Sequence, residues 1–172
     1  AASDVYKRQL LALLKAGLIC NHSQIKKDDK GWYQAGEPTE AALVVAAYKG
    51  WLSPTTAEKN LTEFSFNSTR KRMTIITPLS AGKQLAFVKG APEVILERCT
   101  HIFDGNKERS LLETDRDNFT NAYMKMASNG LRTLALAQRT LPGMVVLNED
   151  AVETDLTLLG VVGIIDPPRP EV

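Results

Sequence analysis

Cysteine and histidine are scarce in this 172-residue chain, at two each, and neither a charge excess nor a long apolar run is present. Two cysteines are too few for a disulfide framework and suit a reducing compartment. Each stands two residues before a histidine, in Cys20-Asn21-His22 and Cys99-Thr100-His101. That one-residue gap falls outside the usual spacings of zinc ligands, so buried thiols beside loop histidines are expected. Lysine plus arginine number 21 against 20 for aspartate plus glutamate. No overall field therefore gathers nucleic acid or an anionic membrane, and any anion site has to be local.

No stretch approaches the roughly 20 apolar residues that span a bilayer, and the N-terminus lacks the order of a signal peptide, so direct membrane insertion of this chain is not expected. Without such a signal, the Asn-x-Ser/Thr triplets at Asn21, Asn60, Asn67 and Asn118 carry little weight as glycan acceptors. A P-loop is missing as well: Gly82-Lys83 precedes Gln84 where that motif has Ser or Thr. Nor are there Gly-x-Ser-x-Gly, His-Glu-x-x-His or paired Cys-x-x-Cys patterns to support a hydrolase, zinc protease or redox enzyme. With no initial methionine and a Pro-rich end, the chain reads as a piece of a longer polypeptide, residues 1–7 being flanking sequence.

A hydrophobic content of 44% is enough for one core and, at this length, one domain. Leu10, Leu11, Leu13, Leu14, Leu18 and Ile19 recur at helical spacing, which predicts an amphipathic helix over 6–19, followed by a polar loop over 21–31. A second helix is expected from about Thr39 to Gly50, with Pro38 in its first turn. Met73–Thr77 and Gln84–Lys89 are β-prone runs joined by a hairpin turn. Thr114 is a candidate cap for a helix carrying Phe119, Ala122, Tyr123 and Met126 on one face, with Gly130 as its stop. Residues 131–138 and 156–165 return to strand-like sequence. Strands and helices do not alternate strictly, so an α+β fold with a mostly antiparallel sheet is favoured over a Rossmann fold.

Lys89-Gly90-Ala91-Pro92-Glu93 is the most informative stretch. It sets a cationic side chain on a backbone corner that opens a helix, where glycine permits close approach, proline suits the first turn and unpaired N–H groups favour negative charge. Four other segments keep it company: Gly36-Glu37-Pro38-Thr39-Glu40-Ala41-Ala42-Leu43, Phe64 through Met73, Gly130-Leu131-Arg132-Thr133-Leu134-Ala135, and Asp166-Pro167-Pro168-Arg169. In this order they resemble the nucleotide-binding domain of P-type cation-transporting ATPases, type II, along nearly the whole chain.

The resemblance implies a twisted antiparallel sheet flanked by helices, spanning residues 8–165, with 166–172 as the hinge toward a phosphorylation domain. It also implies ATP as ligand, with Mg in the parent enzyme, and a place as a cytoplasmic domain of an integral membrane protein beside phosphorylation, actuator and transmembrane domains. Phe66 matches the aromatic that stacks on adenine, Phe64 competing for that role from the same side of a strand. Lys89 matches the lysine at the back of the adenine pocket, with Gly90 and Ala91 as its wall. Lys71 corresponds to a second lysine beside the nucleotide, with Met73 nearby, and Arg132 to an arginine on the β-phosphate. Among Glu37, Thr39 and Glu40 the family places a glutamate on the adenine amino group and a threonine close by.

The Asn67-Ser68-Thr69 run resembles sodium pumps, Arg70 to Met73 resembles calcium pumps, and calcium is the expected ion. The family's phosphorylated aspartate, within Asp-Lys-Thr-Gly-Thr, is not in this sequence, nor are its Mg-binding carboxylates. The chain is therefore expected to bind ATP without hydrolysing it, positioning the γ-phosphate for a partner domain. The rival reading is an interaction or regulatory domain that keeps the fold without useful nucleotide affinity.

Overall fold

A computed structural model of the chain describes residues 2–53, 62–143 and 148–165. In chain order its elements are α1 (Ala2–Ile19), β1 (Gln24–Asp28), β2 (Gly31–Ala35), α2 (Pro38–Lys49), β3 (Thr62–Phe64), β4 (Arg72–Pro78), β5 (Gln84–Gly90), α3 (Pro92–Glu97), β6 (Cys99–Phe103), β7 (Glu108–Ser110), α4 (Glu113–Ser128), β8 (Arg132–Leu141), α5 (Glu149–Val152) and β9 (Leu156–Ile164). Among the described residues, seven strands form one sheet in the order β3-β4-β5-β8-β9-β6-β7. Its neighbours are antiparallel except β6 and β9, which run parallel. The expected α+β architecture is thus the observed one.

The period-2 geometry of a strand sends successive side chains to opposite faces, and here both faces are covered. On one, Phe87, Leu136 and Leu159 meet Ala16, Ile19 and Cys20 at the end of α1. On the other, their chain neighbours Val88, Ala135, Ala137 and Leu158 meet Ile95 of α3 and Phe119 of α4. Full burial of each large side chain is worth roughly 1.5–3 kcal/mol, so these two layers hold the sheet rigid beneath the site. Cys20 lies in the first layer and Cys99 in the second, so the sheet itself keeps the two thiols from sharing a metal. Burial pushes both thiols up to about 12, which makes them inert.

Several expectations are corrected in detail. The first helix starts at Ala2 rather than at residue 6, and takes in most of the stretch read as flanking sequence. The segment expected as a polar loop holds β1, which pairs with β2 as a separate hairpin. Its strands are mostly exposed, so they lack the one-sided apolar alternation by which a strand is recognised. His101 lies in β6, a strand rather than a loop. Thr114 is not the cap of α4: the helix begins at Glu113, and the Asp115 carboxylate accepts from the Leu112 amide at 2.9 Å while pairing with Arg109 at 2.6 Å. The proposed hinge at Asp166–Arg169 lies outside the described residues.

Candidate functional site

Strands β4 and β5 are paired so that Arg72 faces Gly90 and Met73 faces Lys89. A Cβ added to Gly90 would stand 2.5 Å from the Lys71 carbonyl oxygen and 2.7 Å from Arg72 Cβ. The space that sequence reasoning reserved for a ligand is taken by the chain's own backbone. Lys71 consequently packs flat against the β5 end, its carbonyl accepting from the Ala91 amide at 3.0 Å and its amide donating to Asn67 at 2.8 Å. It does so at φ +51°, a left-handed conformation that costs a non-glycine residue about 1–2 kcal/mol.

Around this junction opens a cleft of about 460 Å³, lined by Phe66, Lys71, Lys89, Gly90, Ala91 and Arg132, and further by Pro92, Glu93, Thr133 and Leu134. Three segments far apart in sequence therefore converge there: the turn after β3, the β5–α3 corner with the first turn of α3, and the start of β8. Phe66 is 61% exposed, which leaves a ring surface open for a flat ligand. Phe64 does not compete with it. It ends β3 and packs against Ile76, Ala86, Leu141 and Val152, whereas Phe66 lies beyond the strand's end.

Lys89 is buried, and its ammonium donates to Glu40 at 2.6 Å. Half-burial of Glu40 works against its charge, but the hydrogen bond and charge of Lys89, together with the His22 amide at 3.0 Å, hold its carboxyl below the usual carboxylate range. The Lys89 charge is therefore largely answered within the protein, and Lys71 and Arg132 are the other cations that line the cleft. Arg132 reaches from the start of β8 to α2, where its guanidinium donates to the Thr39 hydroxyl at 3.1 Å. Glu93 brings one carboxylate to the cleft wall, so the cationic excess there is small and local.

Of the sequence-predicted site residues, the structure gathers Phe66, Lys71, Lys89, Gly90, Ala91 and Arg132 around one cavity, with Thr39 and Glu40 bonded to its rim. It does not bring Met73 there. Met73 is 2% exposed and belongs to the α1-facing core beside Ile19 and Cys20, because it and Ile75 point to the same face of β4. Glu37 precedes the first turn of α2 and does not line the cleft; its carbonyl accepts from Ser23 at 3.0 Å. Sequence reasoning missed Pro92, Glu93, Thr133 and Leu134 as lining residues, although the segments that carry Lys89 and Arg132 contained them.

A larger cavity of about 530 Å³ lies between α1, α2 and β9, lined by aliphatic side chains such as Leu10, Leu14, Ala46 and Ile165. It offers no charged side chain to a phosphate. Of these two cavities, the Phe66 cleft is the one that combines an aromatic face with cations.

Comparison with known proteins bears on the same segments. A family model described as P-type ATPase, cytoplasmic domain N, matches residues 9–171. A calcium-transporting ATPase of Bacillus subtilis is 41% identical over 170 residues, which cover 96% of this chain and 19% of that protein. A sodium/potassium exporting P-type ATPase of Schizosaccharomyces pombe is 35% identical over 170 residues, covering 95% of this chain and 16% of its own length. Plasma membrane calcium-transporting ATPase 1 of Homo sapiens is 42% identical over 115 residues, or 63% of this chain and 9% of that protein. The chain spans less than a fifth of the length of each of these relatives.

Proposed function

We propose, for a chain that belongs to the P-type ATPases as their cytoplasmic domain N, that it binds ATP in the Phe66 cleft and presents the γ-phosphate to an aspartate on a separate phosphorylation domain. The parent would thereby drive a cation, calcium by this reading, across a membrane. What supports this is the convergence of Phe66, Lys71, Lys89 and Arg132 on one cleft of about 460 Å³, within the size range of small-ligand pockets. The base would stack on Phe66, with the Lys89–Glu40 pair at the back and the Gly90-Ala91 wall beneath. Lys71 would attract the phosphates as a point charge, and the Arg132 fork can bind two oxygens at once.

In the transfer step the partner's carboxylate oxygen would form a bond to the γ-phosphorus as the bond to the ADP oxygen breaks. This chain's share of that step is position. Among the described residues no group of three His, Cys, Asp or Glu side chains is placed to hold a metal, so the Mg that accompanies the triphosphate would take its protein ligands from other domains. No described helix is long and apolar enough to cross a membrane; the transmembrane and actuator domains are proposed partners in the parent chain.

Titration of the chain with ATP, followed through backbone amide shifts, tests the proposal. Saturable shifts are expected at Phe66, Lys71, Lys89–Ala91 and Arg132, with the ATP left intact. Stacking of a base on an aromatic is worth roughly 1–3 kcal/mol, so Phe66→Ala is expected to weaken ATP, ADP and AMP alike by about 5- to 150-fold. Absence of any saturable shift would favour the interaction-domain reading, and ATP loss with the chain alone would indicate a free-standing enzyme.

A further inference from the structure

Glu153, just after α5, is fully buried and serves no part of the proposed nucleotide contacts. Its Oε1 accepts from Arg70 Nη2 and from the Thr74 hydroxyl, each at 2.5 Å, and its Oε2 from Arg72 Nε at 2.5 Å. Its own carbonyl accepts from Arg98 at 2.9 Å, which fixes it in place. Arg70 further pairs with Glu149 at 2.8 Å, and Arg72 donates to the Arg70 carbonyl at 2.9 Å. One buried carboxylate thus grips the residues on both sides of Lys71. With its neighbours pinned behind the sheet edge, Lys71 is left in its left-handed conformation and its side chain lines the cleft.

We infer that Glu153 is a positioning residue for nucleotide binding: by clamping Arg70 and Arg72 it holds Lys71 in the strained conformation that places the ammonium at the phosphate end of the cleft. This rests on the nucleotide-binding reading above. A carboxylate whose work was only to fill the core would not need two guanidinium groups from alternate residues, Arg70 in the turn and Arg72 at the start of β4. Neutralising it leaves both cations without their shared partner and frees the segment between them to relax.

The test is a cycle of Glu153→Gln and Lys71→Ala in this chain, with ATP affinity and amide hydrogen exchange as readouts. Glu153→Gln is expected to weaken ATP about ten-fold in the native background and less than about two-fold when Lys71 is already alanine. Exchange of the Lys71 and Ala91 amides is expected to quicken about ten-fold, while Val88 and Leu136 stay within about two-fold. Equal losses in both backgrounds, or uniform acceleration across the sheet, would overturn the positioning role in favour of a general loss of stability. ATP bound normally by Glu153→Gln would overturn it alone, whereas failure of the unmodified chain to bind ATP would sink the nucleotide reading itself. Should Glu153→Gln fail to fold, Arg72→Lys keeps the charge but loses the paired donors. A loss of about three-fold that disappears in the Lys71→Ala background is expected, and a loss that persists there refutes the inference.

Discussion

Substituting Gly90 by alanine probes the junction on which the cleft is built. The new methyl would stand 2.5 Å from the Lys71 oxygen, 2.7 Å from Arg72 Cβ and 3.0 Å from Arg72 Cα, against about 3.5–4.0 Å for an unstrained contact. None of these atoms is the loose end of a side chain. The Lys71 carbonyl is bonded to Ala91, and Arg72 is held both in the β4–β5 pairing and by Glu153, so relief requires the strands to part by about 1 Å. Overpacking of this kind costs about 1–3 kcal/mol, which in a chain of this size corresponds to a fall in Tm of roughly 2–12 °C. Because the part that moves carries Lys71, ATP affinity should also fall at temperatures well below the melting point. Gly17→Ala is the control: its Cβ would meet Leu43 at an ordinary 3.6 Å, and alanine within α1 should leave Tm unchanged or raise it. Thermal unfolding and ATP titration of both variants decide the matter. A Gly90→Ala protein that melts within about 1 °C of the unmodified chain and binds ATP equally well would refute the close-packed junction.

Arg132→Ala is expected to weaken ATP and ADP about ten-fold by removing a charge-assisted phosphate contact, while AMP changes little; equal losses for all three, measured calorimetrically, would deny Arg132 its phosphate role. At the start of α4, the Arg109 hydrogen bonds lower the Asp115 carboxyl from 3.8 to about 2, with the Leu112 amide contributing. A depressed carboxyl stabilises the fold above its unfolded value and ceases to do so as pH falls through the folded one. Asp115→Asn, which keeps an acceptor for the Leu112 amide but loses the charge paired with Arg109, should therefore lower Tm by a few degrees at pH 7, with the difference closing between about pH 4 and pH 2. A difference independent of pH in thermal scans would contradict the Asp115 assignment.

Legibility of the fold followed burial. The helix α1 and strands β4 and β5 each bury one continuous stripe or pair of faces, and their periodicity is written in leucines, isoleucines and valines. The β1–β2 hairpin packs no apolar face of its own against the main sheet, and its Trp32 and Tyr33 are exposed, so nothing in Gln24-Ile25-Lys26-Lys27-Asp28 marks a strand. The parallel contact of β6 with β9 joins residues more than fifty positions apart. No local pattern announces such a pairing, since register is set by the shared core only once the chain has folded.

The candidate site divides along the same physical line. Phe66, Lys89 and Gly90 stand out because an aromatic in a polar turn, or a lysine before glycine at a helix start, breaks the local pattern. Met73 is drawn into the site by adjacency in sequence, and strand geometry takes it away: within β4 it shares a face with Ile75, the face that packs on α1. Glu153 shows the opposite case. It lies in an unremarkable acidic stretch, yet its carboxylate reaches back more than eighty residues to Arg70 and Arg72. A buried charge has to be met by opposite charge, and that requirement couples the end of α5 to the Lys71 turn. What a motif marks is the surface a ligand would touch; what holds that surface in shape is a partner chosen by burial, and only the folded chain reveals it.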